Sequence, residues 1–124
     1  MRQIVNSKSA SKAIGPYSHA VVAGELVFIS GQLPINPQSN EIPDEVAEQT
    51  KQSIENLQSI LSDIHLKLDD VVKTTVYIKD MNDFEQMNEV YGQYFKSHYP
   101  ARVCVEVSRL PKDSLVEIDA IAIK

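Results

Sequence analysis

Apolar positions along the chain repeat in two distinct rhythms, one every second residue and one every three or four. β-branched and apolar residues flank Ala23-Gly24-Glu25, which predicts two strands, roughly 18–23 and 26–33, joined by a tight turn at Gly24. Pro34, Pro37 and Pro43 then enforce a loop. Over 44–65, Val46, Ala47, Ile54, Leu57, Ile60, Leu61 and Ile64 fall on one stripe of an amphipathic helix. Asp44, Glu45 and Glu48 at its start, and His65 and Lys67 at its end, match the sign of the helix dipole. The run 71–78, rich in Val, Thr and Tyr, predicts a strand. Asn82 with Glu85 resembles a capping box opening a second helix over 83–97, whose stripe is Phe84, Met87, Tyr91, Tyr94 and Phe95. Gly92 interrupts that helix at a cost of about 1 kcal/mol relative to alanine, which a close helix–sheet approach would explain. Strands over 101–108 and 115–123, separated by Leu110-Pro111-Lys112-Asp113, complete the chain.

Two or three strands, a helix, a strand, a helix and two strands form an α+β fold, a sheet with both helices on one face. The strands over 71–78 and 101–108 are joined through a helix and should run parallel by a right-handed crossover. Strand alternation puts Ala101, Val103, Val105 and Val107 on one face and Arg102, Cys104, Glu106 and Ser108 on the other. The valine face is expected to meet the helices. In the same way Val27, Ile29, Gly31 and Leu33 oppose Leu26, Phe28, Ser30 and Gln32, and Glu117 lies away from the row Val116, Ile118, Ala120 and Ala122. Both sheet faces are partly apolar, and two helices cover only one, so the second is expected to bury against another subunit.

At 124 residues and 43% hydrophobic content, the chain has room for a single domain, 1–124, with one core. Twelve Lys and Arg against seventeen Asp and Glu give a net charge of -5 with no basic cluster, which disfavours nucleic acid and a membrane surface as partners. The N-terminus lacks the apolar run of a secretory signal, and no stretch approaches spanning length. A single cysteine, Cys104, forms no internal disulfide. The cytoplasm is the default location.

Arg102 is the sharpest chemical signal, because a guanidinium on a sheet face offers a planar fork for a carboxylate. The alternative is a salt bridge to Glu106, Glu117 or Asp119. Glu117 is equally open between general acid/base and structural ion partner. Cys104 shares a face with Arg102, so a reactive thiolate stands beside the simpler reading of a small apolar filler. Asn88 is a polar exception on the second helical stripe, and a buried amide needs partners, in a ligand or in nearby backbone. Tyr17, in Gly15-Pro16-Tyr17, is either a packed ring or a phenol donor. His19, His65 and His98 are isolated from one another, giving no metal site, and no glycine-rich phosphate loop indicates a nucleotide cofactor.

Taken together, Ile14-Gly15-Pro16-Tyr17-Ser18, Ile29-Ser30-Gly31-Gln32-Leu33-Pro34, Met87-Asn88-Glu89-Val90-Tyr91, Pro100-Ala101-Arg102-Val103-Cys104-Val105-Glu106-Val107, Leu110-Pro111-Lys112-Asp113 and Val116-Glu117-Ile118 resemble the signature of the RidA (YjgF) family. The similarity extends from about Ile14 to Ile123. It implies a chorismate-mutase-like subunit assembled as a homotrimer with sites in the clefts between subunits. It further implies hydrolysis of 2-aminoacrylate, 2-iminopropanoate and related 2-imino acids to 2-keto acids and ammonia, without a cofactor. By the same resemblance, Arg102 clamps the carboxylate, Glu117 positions or activates water, and the backbone around Cys104 contacts the imine nitrogen. Tyr17, Ser30, Gly31 and Asn88 line the pocket. His19 stands where such proteins commonly carry glutamine and Ser108 where they carry alanine, and the first change bears on substrate preference.

Three alternatives remain from the sequence. The cleft could sense a small carboxylate, or the trimer regulate a partner, without turnover, although a sensor needs the Arg102 clamp and not Glu117. An endonuclease or translation-inhibitor role runs against the acidic charge. A chorismate-mutase activity calls for more cations than Arg102.

Overall fold

The computed structural model describes residues 2–124. Six strands form one sheet, β1 (Arg2–Val5), β2 (Ala20–Ala23), β3 (Leu26–Gln32), β4 (Val71–Ile78), β5 (Ala101–Glu106) and β6 (Val116–Ile123), in the spatial order β1-β2-β3-β6-β4-β5. Two helices, α1 (Val46–Asp63) and α2 (Phe84–Tyr94), pack against one face. β4 and β5 are parallel, as their helical connection requires, and every other pairing is antiparallel. Gly24, at φ 63°, makes the left-handed turn between β2 and β3. The N-terminal strand β1 completes the upper count left open by the strand pattern.

The core lies between helices and sheet. Ile54, Leu57, Ile60 and Leu61 of α1 and Met87 of α2 are fully buried against Val27, Val76, Ile118 and Ala122. Polar groups on α1 hold the loops in place. Asn56 Nδ2 donates to the carbonyls of Leu33 and Ile35, both at 3.0 Å, fixing the exit from β3, and Gln49 bridges the Pro43 carbonyl and the Leu115 amide at 2.7 Å each.

Several expectations are corrected. The valine face of β5 does not meet the helices: Val103 and Val105 are 45% and 38% exposed, and Cys104 packs against the core. The register explains why. Arg102 pairs with Thr74 and Cys104 with Val76, so these side chains share the buried face of β4. In β3, alternation breaks between Ile29 and Gln32, where a bulge inserts one residue; Ile29 and Gln32 are consequently both buried, and Gln32 leaves the group it was assigned to.

Both helices are shorter than expected. Asp44 and Glu45 precede α1, His65 and Lys67 follow it, and only Glu48 adds an acid to its first turn. The Asn82–Glu85 capping box is absent; Asp80 Oδ1 instead accepts from the Asn82 amide at 2.9 Å, closing a short turn before α2. Gly92 makes no close approach to the sheet, since a Cβ built there would meet only the Tyr99 hydroxyl, 4.0 Å away.

The other sheet face is uncovered in the single chain. Leu26, Phe28, Val103, Val105 and Ile123 all lie between 38% and 45% exposed on it, interspersed with Glu117 and Asp119.

Candidate functional site

β5 is an edge strand, and its position brings Arg102 under α2. Phe84, Asn88 and Tyr91 are spaced four and three residues apart, so all three descend from one helical face onto the guanidinium. Arg102 Nη1 donates to Asn88 Oδ1 at 2.7 Å. The guanidinium carbon stands 4.8 Å from the Tyr91 ring centroid and 5.6 Å from that of Phe84, distances at which a cation is attracted to the ring face. Tyr91 is fixed by its own hydroxyl, 2.7 Å from Thr74 Oγ1, and by stacking on Phe95.

No acid neutralises this arginine. Arg109–Asp113 is the sole ion pair among the described residues, so the expected alternative of a salt bridge to Glu106, Glu117 or Asp119 does not occur. The half-buried guanidinium instead borders a cleft of about 360 Å³ lined by Asn88, Tyr91, Gly92, Tyr99, Pro100 and Arg102. Its unpaired N–H groups suit a planar anion, and the aromatic walls suit a small carbon skeleton.

Cys104 follows on the same face, half-buried. Burial pushes its thiol pKa up, and the nearby Arg102 charge opposes this without reversing it. The thiol is therefore held protonated, contrary to the thiolate reading. Its backbone is better placed. Val107 N–H donates to the Ile78 carbonyl of β4, and alternate residues of a strand direct their peptide groups to opposite edges. The N–H and C=O of Arg102 and Cys104 consequently point to the free edge of the sheet.

Glu117 sits on the opposite sheet face. It pairs in register with Tyr77 of β4, which pairs with Val105 of β5, so it shares the exposed valine face. Its carboxylate lies directly against Gly31, where a Cβ would come within 2.9 Å of Glu117 Cδ. Burial, and then repulsion by Asp119, hold the Glu117 pKa above the usual carboxylate range. Asp119 accepts hydrogen bonds from the Thr75 amide at 3.0 Å and the Tyr77 hydroxyl at 3.2 Å.

The remaining pocket residues gather around Gly31. Tyr17 and Gly31 line one narrow hollow together with His19 and Gln32. Ser30 Oγ donates to the Ser18 carbonyl at 2.7 Å, while the Ser30 amide donates to the His19 carbonyl at 2.9 Å. Tyr17 itself is 43% exposed, and its hydroxyl accepts from the Ile14 amide at 3.4 Å. The sequence-derived set thus divides into two groups, Arg102, Asn88 and Cys104 on the helix side, and Tyr17, Ser30, Gly31 and Glu117 on the other. Tyr91, Phe84 and Tyr99 were not anticipated as site residues, although the spacing of Phe84, Asn88 and Tyr91 carries the signal.

Among the described residues, no cluster of three His, Cys, Asp or Glu side chains could hold a metal ion, and no helix is long and apolar enough to cross a membrane.

Comparison with known proteins agrees on one family. The profile described as endoribonuclease L-PSP matches residues 7–124. A RutC family protein of Pyrococcus horikoshii is 54% identical over 125 residues, covering 100% of this chain and 99% of that protein. The Escherichia coli protein named 2-iminobutanoate/2-iminopropanoate deaminase is 46% identical over 127 residues, with 100% and 99% coverage. Among solved structures, Escherichia coli TdcF with bound serine superposes with a TM-score of 0.95 at 46% identity, covering 98% of each chain. Escherichia coli YjgF superposes with a TM-score of 0.94 at 45% identity and the same coverage. The chain belongs to the endoribonuclease L-PSP family, the RidA/YjgF group that its motifs resemble.

Proposed function

We propose that the chain is an imine and enamine deaminase that hydrolyses 2-aminoacrylate, 2-iminopropanoate and related 2-imino acids to 2-keto acids and ammonia. The observation that carries this reading is Arg102, a guanidinium without an acidic partner, oriented by Asn88 and Tyr91 at the edge of a cleft sized for a small acid. The naming of 46%-identical relatives as 2-iminobutanoate/2-iminopropanoate deaminase supports it.

Arg102 grips the substrate carboxylate and thereby fixes the adjacent imine carbon. The peptide group of Cys104, directed to the free edge, meets the imine nitrogen. Glu117 holds the attacking water, and burial with the neighbouring Asp119 raises its pKa, which makes it a stronger base toward that water. An enamine first tautomerises to the imine by moving a proton from nitrogen to its methylene carbon. Water oxygen then bonds to the imine carbon while one water proton passes to nitrogen. The carbinolamine collapses as its hydroxyl proton passes to nitrogen and the C–N bond breaks, releasing ammonia and the ketone. Tyr17, Ser30 and Gly31 wall the remaining side.

Arg102 and Glu117 occupy opposite faces of one sheet, so this chemistry requires a site completed by a second copy of the chain. A homotrimer with its sites between subunits satisfies this and covers the apolar face carrying Phe28, Val103 and Val105. A cofactor has no part in the scheme. The endonuclease implied by the family description is disfavoured by the net charge of -5 and by a cleft with a single arginine in its lining. A regulatory carboxylate binder would need Arg102 and leave Glu117 without a task.

The test generates 2-iminopropanoate in situ from an amino acid and follows ketone formation with the wild type, Arg102→Ala and Glu117→Gln. Loss of rate enhancement in both variants is expected. An unaltered rate in Arg102→Ala would reject the clamp, and turnover absent from the wild type while a small carboxylate still binds would favour the regulatory reading.

A further inference from the structure

We infer that His19 is a positioning residue whose neutral ring latches the segment leading from β1 to Tyr17, and that protonation opens the latch. The ring is 4% exposed. The Ser7 amide donates to Nδ1 at 2.8 Å, and Nε2 lies 2.8 Å from the Ser11 carbonyl oxygen. A carbonyl only accepts, so Nε2 carries the hydrogen, while Nδ1, facing an N–H, must be bare. Both contacts therefore specify one neutral tautomer, Nε2–H.

The same residue ties two further segments. Its carbonyl accepts from the Ser30 amide at 2.9 Å, and its amide lies 3.4 Å from Asn6 Oδ1. The ring thus joins Ser7 to Ser11 within the segment that leads to Tyr17, while the backbone of the same residue joins it to Asn6 and to the Ser30-Gly31 bulge of β3.

A proton on Nδ1 would place two N–H groups head to head. Ser7 would lose its acceptor, and the new Nδ1–H would have none. The charged groups lining the hollows beside the ring are Lys8 and Lys12, and Tyr17 is the other titratable side chain there. No carboxylate lines either hollow; Asp63 of α1 reaches only the Ser9 hydroxyl, at 3.5 Å. Glu117, whose carboxylate lies against Gly31 of the same hollow, is not a hydrogen-bond partner of the ring, so acid breaks the Ser7 contact and leaves the Ser11 contact intact. A primary amide offers donor and acceptor at any pH, and glutamine at this position would keep the connection without the switch.

The latch stands on the hydrogen-bond geometry alone; its effect on turnover rests on the deaminase reading. Amide exchange at Ser7 and imidazole 15N shifts of His19 are measured in the whole protein from about pH 7.5 to about pH 5. The wild type should hold the Nε2–H tautomer at the upper end and lose roughly tenfold or more of its Ser7 protection at the lower end, the scale of one buried hydrogen bond. His19→Gln should retain that protection throughout, and its kcat/KM on 2-iminopropanoate should fall less in acid than that of the wild type. The inference is overturned by an Nδ1–H tautomer, by pH-independent protection in the wild type, or by an equal acid loss in His19→Gln. The 15N shifts decide the matter if the variant does not fold, and absence of turnover at every pH would count against the deaminase alone.

Discussion

Arg102 and Glu117 project from opposite faces of the same sheet. The register leaves no ambiguity: Arg102 shares the face of Thr74 and Val76, and Glu117 shares that of Tyr77 and Val105. If both act on one small substrate, as proposed, they must come from two chains. Mixed oligomers of Arg102→Ala and Glu117→Gln subunits, each inactive alone, are expected to recover activity, because some clefts receive the intact Arg102 of one chain and the intact Glu117 of the other. Unfolding and refolding the two variants together, followed by the ketone assay, tests this. Activity no greater than the sum of the separate variants would place both residues of a site in one subunit.

Asn88 orients the Arg102 guanidinium. Its Oδ1 accepts from Arg102 Nη1 at 2.7 Å, holding the guanidinium under Tyr91 and Phe84. Asn88→Ala frees the fork to rotate and should raise KM by roughly tenfold or more, the value of a hydrogen bond to a charged group, with a smaller change in kcat. Tyr91→Phe keeps the ring over Arg102 while removing the contact to Thr74, and its effect should be milder. Steady-state kinetics of both variants decide the point, and equal KM values for Asn88→Ala and the wild type would remove its positioning role.

Much of this site was legible in the sequence, but the sides were not. Element order from β2 onward and the parallel β4–β5 pair followed from periodicity, and Arg102, Asn88 and Cys104 from strand and helix faces, whereas β1 and the roles of Phe84, Tyr91 and Tyr99 around Arg102 did not. The side of the sheet on which each residue lies did not, for two physical reasons. Alternation along β5 separates valines from Arg102 and Cys104 without saying which set meets the helices, and the apolar set went to the uncovered face because the register with β4 placed Arg102 beside Thr74. The bulge between Ile29 and Gln32 reverses the alternation within β3, and no local composition announced it apart from Gly31. Gly92 was misread for a related reason: a helical glycine signals missing bulk, and here the missing bulk borders a cleft.

Glu117 crowds Gly31. A Cβ there would lie 2.9 Å from Glu117 Cδ and closer still to Oε2, so one of them must shift. Gly31→Ala should lower stability by about 1–3 kcal/mol, the usual cost of overpacking, and depress activity by displacing the carboxylate. Adding Glu117→Ala should restore part of that stability, since the clash partner is gone. Thermal denaturation of the two single variants and the double reads the coupling; strictly additive losses would mean that the carboxylate moves aside freely.

Asp119 raises the Glu117 pKa through like-charge repulsion, the second cause after burial. Asp119→Asn removes that repulsion and leaves an oxygen for the Thr75 amide. The limb of the pH–activity profile that reports Glu117 should therefore move to lower pH, whether its acid or base form is the active one. Stability changes in the matching sense. A raised carboxyl pKa favours the folded state at pH below the unfolded value, and that benefit is lost as pH rises through the folded value. Glu117→Gln should consequently show a shallower fall of Tm with rising pH than the wild type across the carboxylate range. Identical slopes would assign the dependence to other acids.

Gly92 weakens α2 and opens the cleft, and alanine should reverse both effects. Glycine inside a helix costs about 1 kcal/mol relative to alanine, and a Cβ there would meet only the Tyr99 hydroxyl, 4.0 Å away. Gly92→Ala should therefore raise Tm by a few degrees. The added methyl stands on the wall shared by Asn88, Tyr99 and Arg102, so it should reduce kcat/KM for bulky 2-imino acids more than for 2-iminopropanoate. A lower Tm would mean that the backbone at Gly92 needs glycine for a reason other than space, and an equal loss across substrates would separate the cleft from side-chain selection.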